Sequence, residues 1–272
     1  MNNDNSVAAT SGARWTTATD YDSLARNIQF RNAALLARLH PHPSQVRAVL
    51  EIGCGTGGST VELVAALPDA TIDAMDISDH MLAVALAKGL PDRVRFRQAQ
   101  FPDVGSRGPY DAIFSNAALH WMYPHYETVF AAMNQALHLG GYVCAATAAR
   151  TRSTERVATA RASALSSLGR LPEEDTFDCR RLTASDVEAL AGGSGFIVED
   201  AFVVERTALV SADVHARWWV ASGGPWTANE VAPEEAVQAL TDALGGSCAS
   251  VETVHASVMF RLRKAHGDRA NT

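Results

Sequence analysis

The chain has 272 residues, 47% apolar and 19% charged, ordinary figures for a globular protein with a substantial core in one large domain or two small ones. A net charge of −7 without Lys/Arg clusters argues against nucleic acid or an anionic membrane as partner and leaves a small molecule. No apolar run approaches the ~20 residues of a membrane span. Met1-Asn2-Asn3-Asp4-Asn5 lacks the basic start and apolar core of a signal peptide, so a cytoplasmic protein is expected.

Residues 1–13 are small and polar and are expected to be disordered. A helical arm over 14–45 follows, in which Leu24, Ile28, Leu35, Leu36 and Leu39 recur at helix-like spacing until His40-Pro41-His42-Pro43. Strands are expected near 47–52, at Thr71–Asp76, Val94–Ala99, Tyr110–Asn116 and Tyr142–Ala146. Single helices alternate with them, one capped by Ser78 or Asp79 and one from about Tyr126 to His138 that ends at a glycine C-cap, Gly140-Gly141. Strand–helix alternation means βαβ units and a parallel sheet, here a cofactor-binding core over 47–150. A connector (151–182), a helix near Thr183–Leu190, a strand from Phe196, a tryptophan-bearing helical cap (210–250) and an alternating last strand from Thr253 complete one domain over 14–272. The four cysteines, Cys54, Cys144, Cys179 and Cys248, form no C-x-x-C pair and read as reduced thiols. The sequence carries no signal of oligomeric state.

The chemistry centres on Glu51-Ile52-Gly53-Cys54-Gly55-Thr56-Gly57-Gly58, between a strand and a helix. Glycines there let a ligand approach the backbone and tolerate positive φ, and the amides of the helix start face the gap. Gly53, Gly55 and Gly58 satisfy G-x-G-x-x-G with Asp76 about 20 residues on, the dinucleotide pattern. Glu51 argues instead for S-adenosylmethionine, because a carboxylate at the strand end repels a pyrophosphate and attracts an ammonium and a sulfonium. Asp76, ending the second strand, is the expected acceptor from the ribose hydroxyls. Ile77 and Met81, with Ala99, Gln100 and Phe101 at the end of strand three, are expected about the adenine. Gln98 and Gln100 offer an amide there in place of an acid.

The glycine stretch closely resembles the first motif of class I methyltransferases. Asn116-Ala117-Ala118-Leu119-His120-Trp121, ending strand four, resembles trans-aconitate methyltransferases and, more loosely, the enzymes that methylate malonyl-carrier-protein. His215-Ala216-Arg217-Trp218-Trp219 with Gly223-Gly224-Pro225-Trp226 resembles the cap of the former. The resemblance implies a doubly wound α/β fold, a mostly parallel seven-stranded sheet with an antiparallel C-terminal hairpin strand, and S-adenosylmethionine as cofactor. It places Glu51, Gly53, Cys54, Gly55, Asp76, Asn116 and Ala117 about that cofactor, and implies methylation of an organic acid.

A carboxylate is ionised at neutral pH and needs no general base, so His120, Trp121, Tyr21 and Trp15 are expected to act as donors and walls that hold the acceptor. Trp218, Trp219 and Arg217 are expected as further substrate contacts, Arg217 through a second carboxylate. Other readings stay open. His120 is the obvious base if the acceptor is a phenol, alcohol or amine of a natural-product scaffold. A cyclase on the same fold would bind the cofactor without methyl transfer, and an NAD(P) oxidoreductase fits the glycine spacing alone. Neither His120 with His125 nor His40 with His42 has further ligands at metal-site spacing, so no metal is expected.

Overall fold

The computed structural model describes residues 29–103, 108–150, 155–170, 180–221 and 231–265. Tyr21, Trp15, Trp226 and the expected disorder of residues 1–13 lie outside them. In chain order the elements are α1 (Gln29–Leu39), β1 (Ala48–Ile52), α2 (Gly58–Ala66), β2 (Thr71–Asp76), α3 (Asp79–Leu86), β3 (Val94–Gln98), β4 (Tyr110–Asn116) and α4 (Tyr126–Ala136). They continue with β5 (Leu137–Ala148), α5 (Glu155–Ser167), α6 (Ala184–Gly193), β6 (Phe196–Ser211), α7 (Ala212–Ala221), α8 (Pro233–Ala243) and β7 (Ser250–Lys264).

The seven strands form one sheet in the order β3-β2-β1-β4-β5-β7-β6. The first five are parallel and β7 runs antiparallel to β5. Strand order reverses between β1 and β4, and the crevice beyond their carboxyl ends is where an open α/β sheet receives its ligand. Within the described residues the chain groups into two compact units. A sheet unit holds 29–149, 181–204 and 257–265, and a helical unit holds the described parts of 150–180 with 205–256, so the boundary cuts through β6 and β7. The described part of the expected cap, 210–250, belongs to the helical unit.

In the sheet unit Val49, Ile72, Ala74, Ala112, Phe114 and Cys144 pack with Leu63 and Leu67 of α2 and its C-cap. Burial on both faces explains why β1 and β4 read as nearly continuous apolar runs. The turn after α2 is tied by Arg93, whose guanidinium donates to the carbonyls of Val64, Leu67 and Ala70 at 2.6, 3.0 and 2.8 Å. The first two are carbonyls at the end of α2, which a basic side chain satisfies well, and the third lies just before β2. Ser78 caps α3 by accepting from the Met81 amide, and Thr183 with Asp186 forms a capping box on α6.

One expected boundary is corrected. The helix from Tyr126 ends at Ala136 rather than at His138 with a Gly140-Gly141 cap, because Leu137 is extended and starts β5. Tyr110 pairs with Leu137 and Ala112 with Tyr142, so the extra residues of β5 bulge out of register. Gly140 has φ 76, and a Cβ on Gly141 would stand 3.0 Å from the carbonyls of Asp111 and His138. The two glycines serve a bulge, not a cap.

The helical unit has its own core, in which Val157, Ala164 and Leu165 of α5 meet Ala216, Trp219 and Val220 of α7 and Ala236 and Leu240 of α8. Arg156 fastens α5 by donating to the carbonyls of Leu244 and Ser250 at 2.9 and 3.0 Å. Among the described residues no helix is long and apolar enough to cross a membrane.

Candidate active site

The glycine loop is pinned at its start by the amides of Gly53 and Cys54, which both donate to the Met75 carbonyl at 2.8 and 3.0 Å. Gly53, Gly55 and Gly57 have φ of 69, 55 and 81, so each needs the freedom that only glycine has without strain. Gly58 opens α2 so close to α1 that a Cβ there would overlap the Phe30 ring.

Asp76 braces the loop from the neighbouring strand. Its Oδ2 accepts from the Gly55 amide at 2.8 Å and its Oδ1 from the Ser78 amide at 2.9 Å. Burial pushes the Asp76 carboxyl up, and the amides of Ser78, Gly55 and Ile77 pull it back. The ends of β2 and β3 are tied by the Ala99 amide donating to the Asp76 carbonyl and by Gln98 Nε2 donating to the Ile77 carbonyl. Gln98 is therefore spent on the backbone, while Gln100 is exposed and Met81 and Phe101 are buried.

Glu51 is 1% exposed. Its Oε2 accepts from the Thr60 hydroxyl at 2.7 Å, and its Oε1 is buried with no partner. Burial, with the Asp76 charge adding to it, pushes the carboxyl up to about 7 against the pull of Thr60. The buried Cys54 thiol beside it is pushed well above its ordinary range by burial and by both carboxylates. At the end of β4, Asn116 Nδ2 donates to Ser59 Oγ and to the Gln29 carbonyl, both at 2.9 Å, and its Oδ1 is buried without a partner.

The chain then turns sharply. Ala117 is the one non-glycine residue with positive φ among the described residues, at 57, and its amide donates to the Ala146 carbonyl. His120 is buried in the following 3-10 turn. Its backbone amide donates to Thr147 Oγ1 at 3.0 Å and its ring Nδ1 lies 3.2 Å from the same oxygen. The half-buried Trp121 ring is 5.0 Å from the imidazole.

In the helical unit Arg217 lies on the solvent side of α7, 57% exposed and ion-paired at 3.1 Å with Asp213 one turn back. Trp218 packs edge-to-face on His255 at 6.0 Å, and the buried Trp219 carries the Arg161 guanidinium over its ring at 5.3 Å. The cation over Trp219 is thus Arg161, from α5. His215 is buried with an unpartnered Nε2, and burial, then the charges of Arg161 and His255, push it down to about 3. The sequence alone assigned no individual role to Ser59, Thr60, Thr147, Arg161 or His215. Ser59 and Thr60 left a trace, as hydroxyls in the first turn after the glycine loop.

Residues 49–141 match the profile of a family described as Methyltransferase domain. This stretch, about a third of the chain, is similar to a methyltransferase domain. Over this domain the chain is similar to a trans-aconitate 2-methyltransferase of Deinococcus radiodurans, 35% identical over 43% of this chain and 42% of that one. It is also similar to a malonyl-[acyl-carrier protein] O-methyltransferase of Bacillus cytotoxicus, 39% identical over 39% of this chain and 38% of that one. The matched stretch spans about two fifths of each relative's length. A putative methyltransferase of Bacillus halodurans shares the fold with a TM-score of 0.59, at 16% identity over 87% of this chain and 100% of that one. The cofactor of such a methyltransferase domain is S-adenosylmethionine, and the residues present fit it. The orphaned Glu51 and Asn116 oxygens suit a cation and would repel a pyrophosphate.

Proposed function

We propose that the chain is a methyltransferase that uses S-adenosylmethionine to O-methylate the carboxylate of a small or medium organic acid. The observation that carries the cofactor side is the set of bare or acidic acceptors (Glu51, Asn116 and Asp76) gathered at the carboxyl ends of β1, β4 and β2. S-adenosylmethionine supplies an electrophilic methyl group on a sulfonium. Glu51 and Asn116 bind and orient its cationic end, while Asp76 holds the glycine loop and offers remaining lone pairs to a ribose.

The acceptor side rests on chemistry and on the names of the two relatives. A carboxylate with pKa near 4 is anionic at neutral pH, so the chain has only to orient it and keep water away. Orientation alone supplies roughly 7–11 kcal/mol of a barrier. His120, fixed through Thr147, and the Trp121 ring form the wall and donors at the end of β4.

Two measurements test this. Calorimetry should give binding of S-adenosylhomocysteine and none of NAD; the reverse would overturn the cofactor assignment. Label from S-adenosylmethionine should pass to one of a panel of di- and tricarboxylic, fatty and polyketide acids as a base-labile ester. Labelled product that survives base, or transfer only to phenols or amines, would overturn the carboxylate assignment and make His120 the base.

A further inference from the structure

The first turn of α2 sets up two acceptors at once. Thr60 donates its only hydroxyl hydrogen to Glu51 Oε2, at a site where both residues are almost wholly buried. That contact settles which carboxylate oxygen is left bare, namely Oε1. The adjacent Ser59 accepts one Asn116 amide hydrogen and the Gln29 carbonyl accepts the other. A carbonyl cannot donate, so the carboxamide is locked with its nitrogen toward Gln29 and its Oδ1 bare.

The two bare oxygens share a face of the sheet. Glu51 lies opposite Phe114 in the β1–β4 register, and Asn116 is two residues beyond Phe114, so their side chains project to the same side. Two buried acceptors held without donors cost stability, and an apolar pair of the same shape would not. A primary ammonium has three donors and the charge to match. An aromatic group has neither, and a ribosyl group has donors without the charge.

We propose that Ser59 and Thr60 are positioning residues that aim the Asn116 and Glu51 oxygens at the ammonium of an aminoacyl sulfur nucleoside, and so set the preference for that ligand over one lacking the ammonium. The proposal rests on the cofactor reading above and concerns residues that do not touch the reacting atoms.

The test compares S-adenosylhomocysteine, which carries the ammonium, with 5′-methylthioadenosine, which does not, by calorimetry on the full chain. Thr60→Val should weaken the first roughly tenfold and the second by less than about twofold, and Thr60→Ser should restore the first. Ser59→Ala, at a half-buried position that tolerates truncation, should lower the same ratio about threefold and serves if Thr60→Val does not fold. Equal losses for both ligands, or an unchanged ratio in Ser59→Ala, would overturn the proposal while leaving the cofactor assignment standing. Failure of the unmodified chain to bind S-adenosylhomocysteine would remove the cofactor assignment itself, and this proposal with it.

Discussion

Each unit buries a titratable side chain with one polar atom left bare, and the two shifts run in opposite directions. In the sheet unit burial pushes Glu51 up to about 7, and in the helical unit burial pushes His215 down to about 3. Both are thereby moved toward their neutral forms, because a low-dielectric surrounding penalises whichever form is charged. The difference lies in the company they keep. Glu51 has the Thr60 hydroxyl on one oxygen and feels the Asp76 carboxylate, whereas His215 feels the cation Arg161 and a second imidazole. Desolvation neutralises a group, but only the neighbouring groups turn it into a binding feature.

The pH dependence of stability would expose both groups. His215 is depressed, so its share of stability is present above about 6.5 and is lost as pH falls toward 3, roughly 2 kcal/mol of it between pH 6.5 and 5. His40, lowered to about 4 by burial and by His42, adds to that limb. Glu51 is raised, so its share is present below about 4.5 and is lost as pH rises through 7, about 3 kcal/mol in all. The two slopes oppose each other over pH 5–6.5.

Urea unfolding of His215→Phe should therefore show stability rising more steeply as pH falls toward 5 than in the parent chain. Glu51→Gln should do the reverse, falling toward low pH and gaining stability at pH 8. The same Glu51→Gln change should weaken S-adenosylhomocysteine binding by roughly 30-fold, so that it separates stability from function. If Glu51→Gln neither stabilises at pH 8 nor weakens binding, the contrast between the two units collapses.

Smaller effects refine the picture. His120→Ala should raise the KM for the acceptor acid roughly tenfold and leave single-turnover methyl transfer flat above pH 6. A rate collapse with loss of a limb near pH 6–7 would instead assign His120 as a base. Arg161→Met should cost about 1 kcal/mol in urea unfolding through loss of the stacked cation on Trp219, with no change in S-adenosylhomocysteine affinity.

What was legible in the sequence was local. Glycine spacing, the apolar run into Glu51 and the strand-ending Asp76 placed the cofactor loop, since backbone conformation and strand ends leave marks within a few residues. The alternation of strands and helices gave the sheet for the same reason. Contacts made across the fold left none. Arg93 reaches back to the end of α2, Thr147 holds His120 from β5, and Arg161 lies over Trp219 while Arg217 pairs with Asp213. Gly140-Gly141 misled because a helix C-cap and a strand bulge ask for the same residue, and only the pairing with Tyr110 and Ala112 separates them.

The approach of Gly53 to the turn after β4 carries a consequence for how such a site can diversify. A Cβ on Gly53 would come within 2.2 Å of the Ala118 Cβ, just after Ala117 has taken its left-handed turn. The cofactor loop and the turn leading to His120 and Trp121 are keyed into one another with no room for another carbon. A residue at 53 with any side chain would have to displace Ala118, so the glycine loop cannot vary there without moving the turn that carries His120 and Trp121.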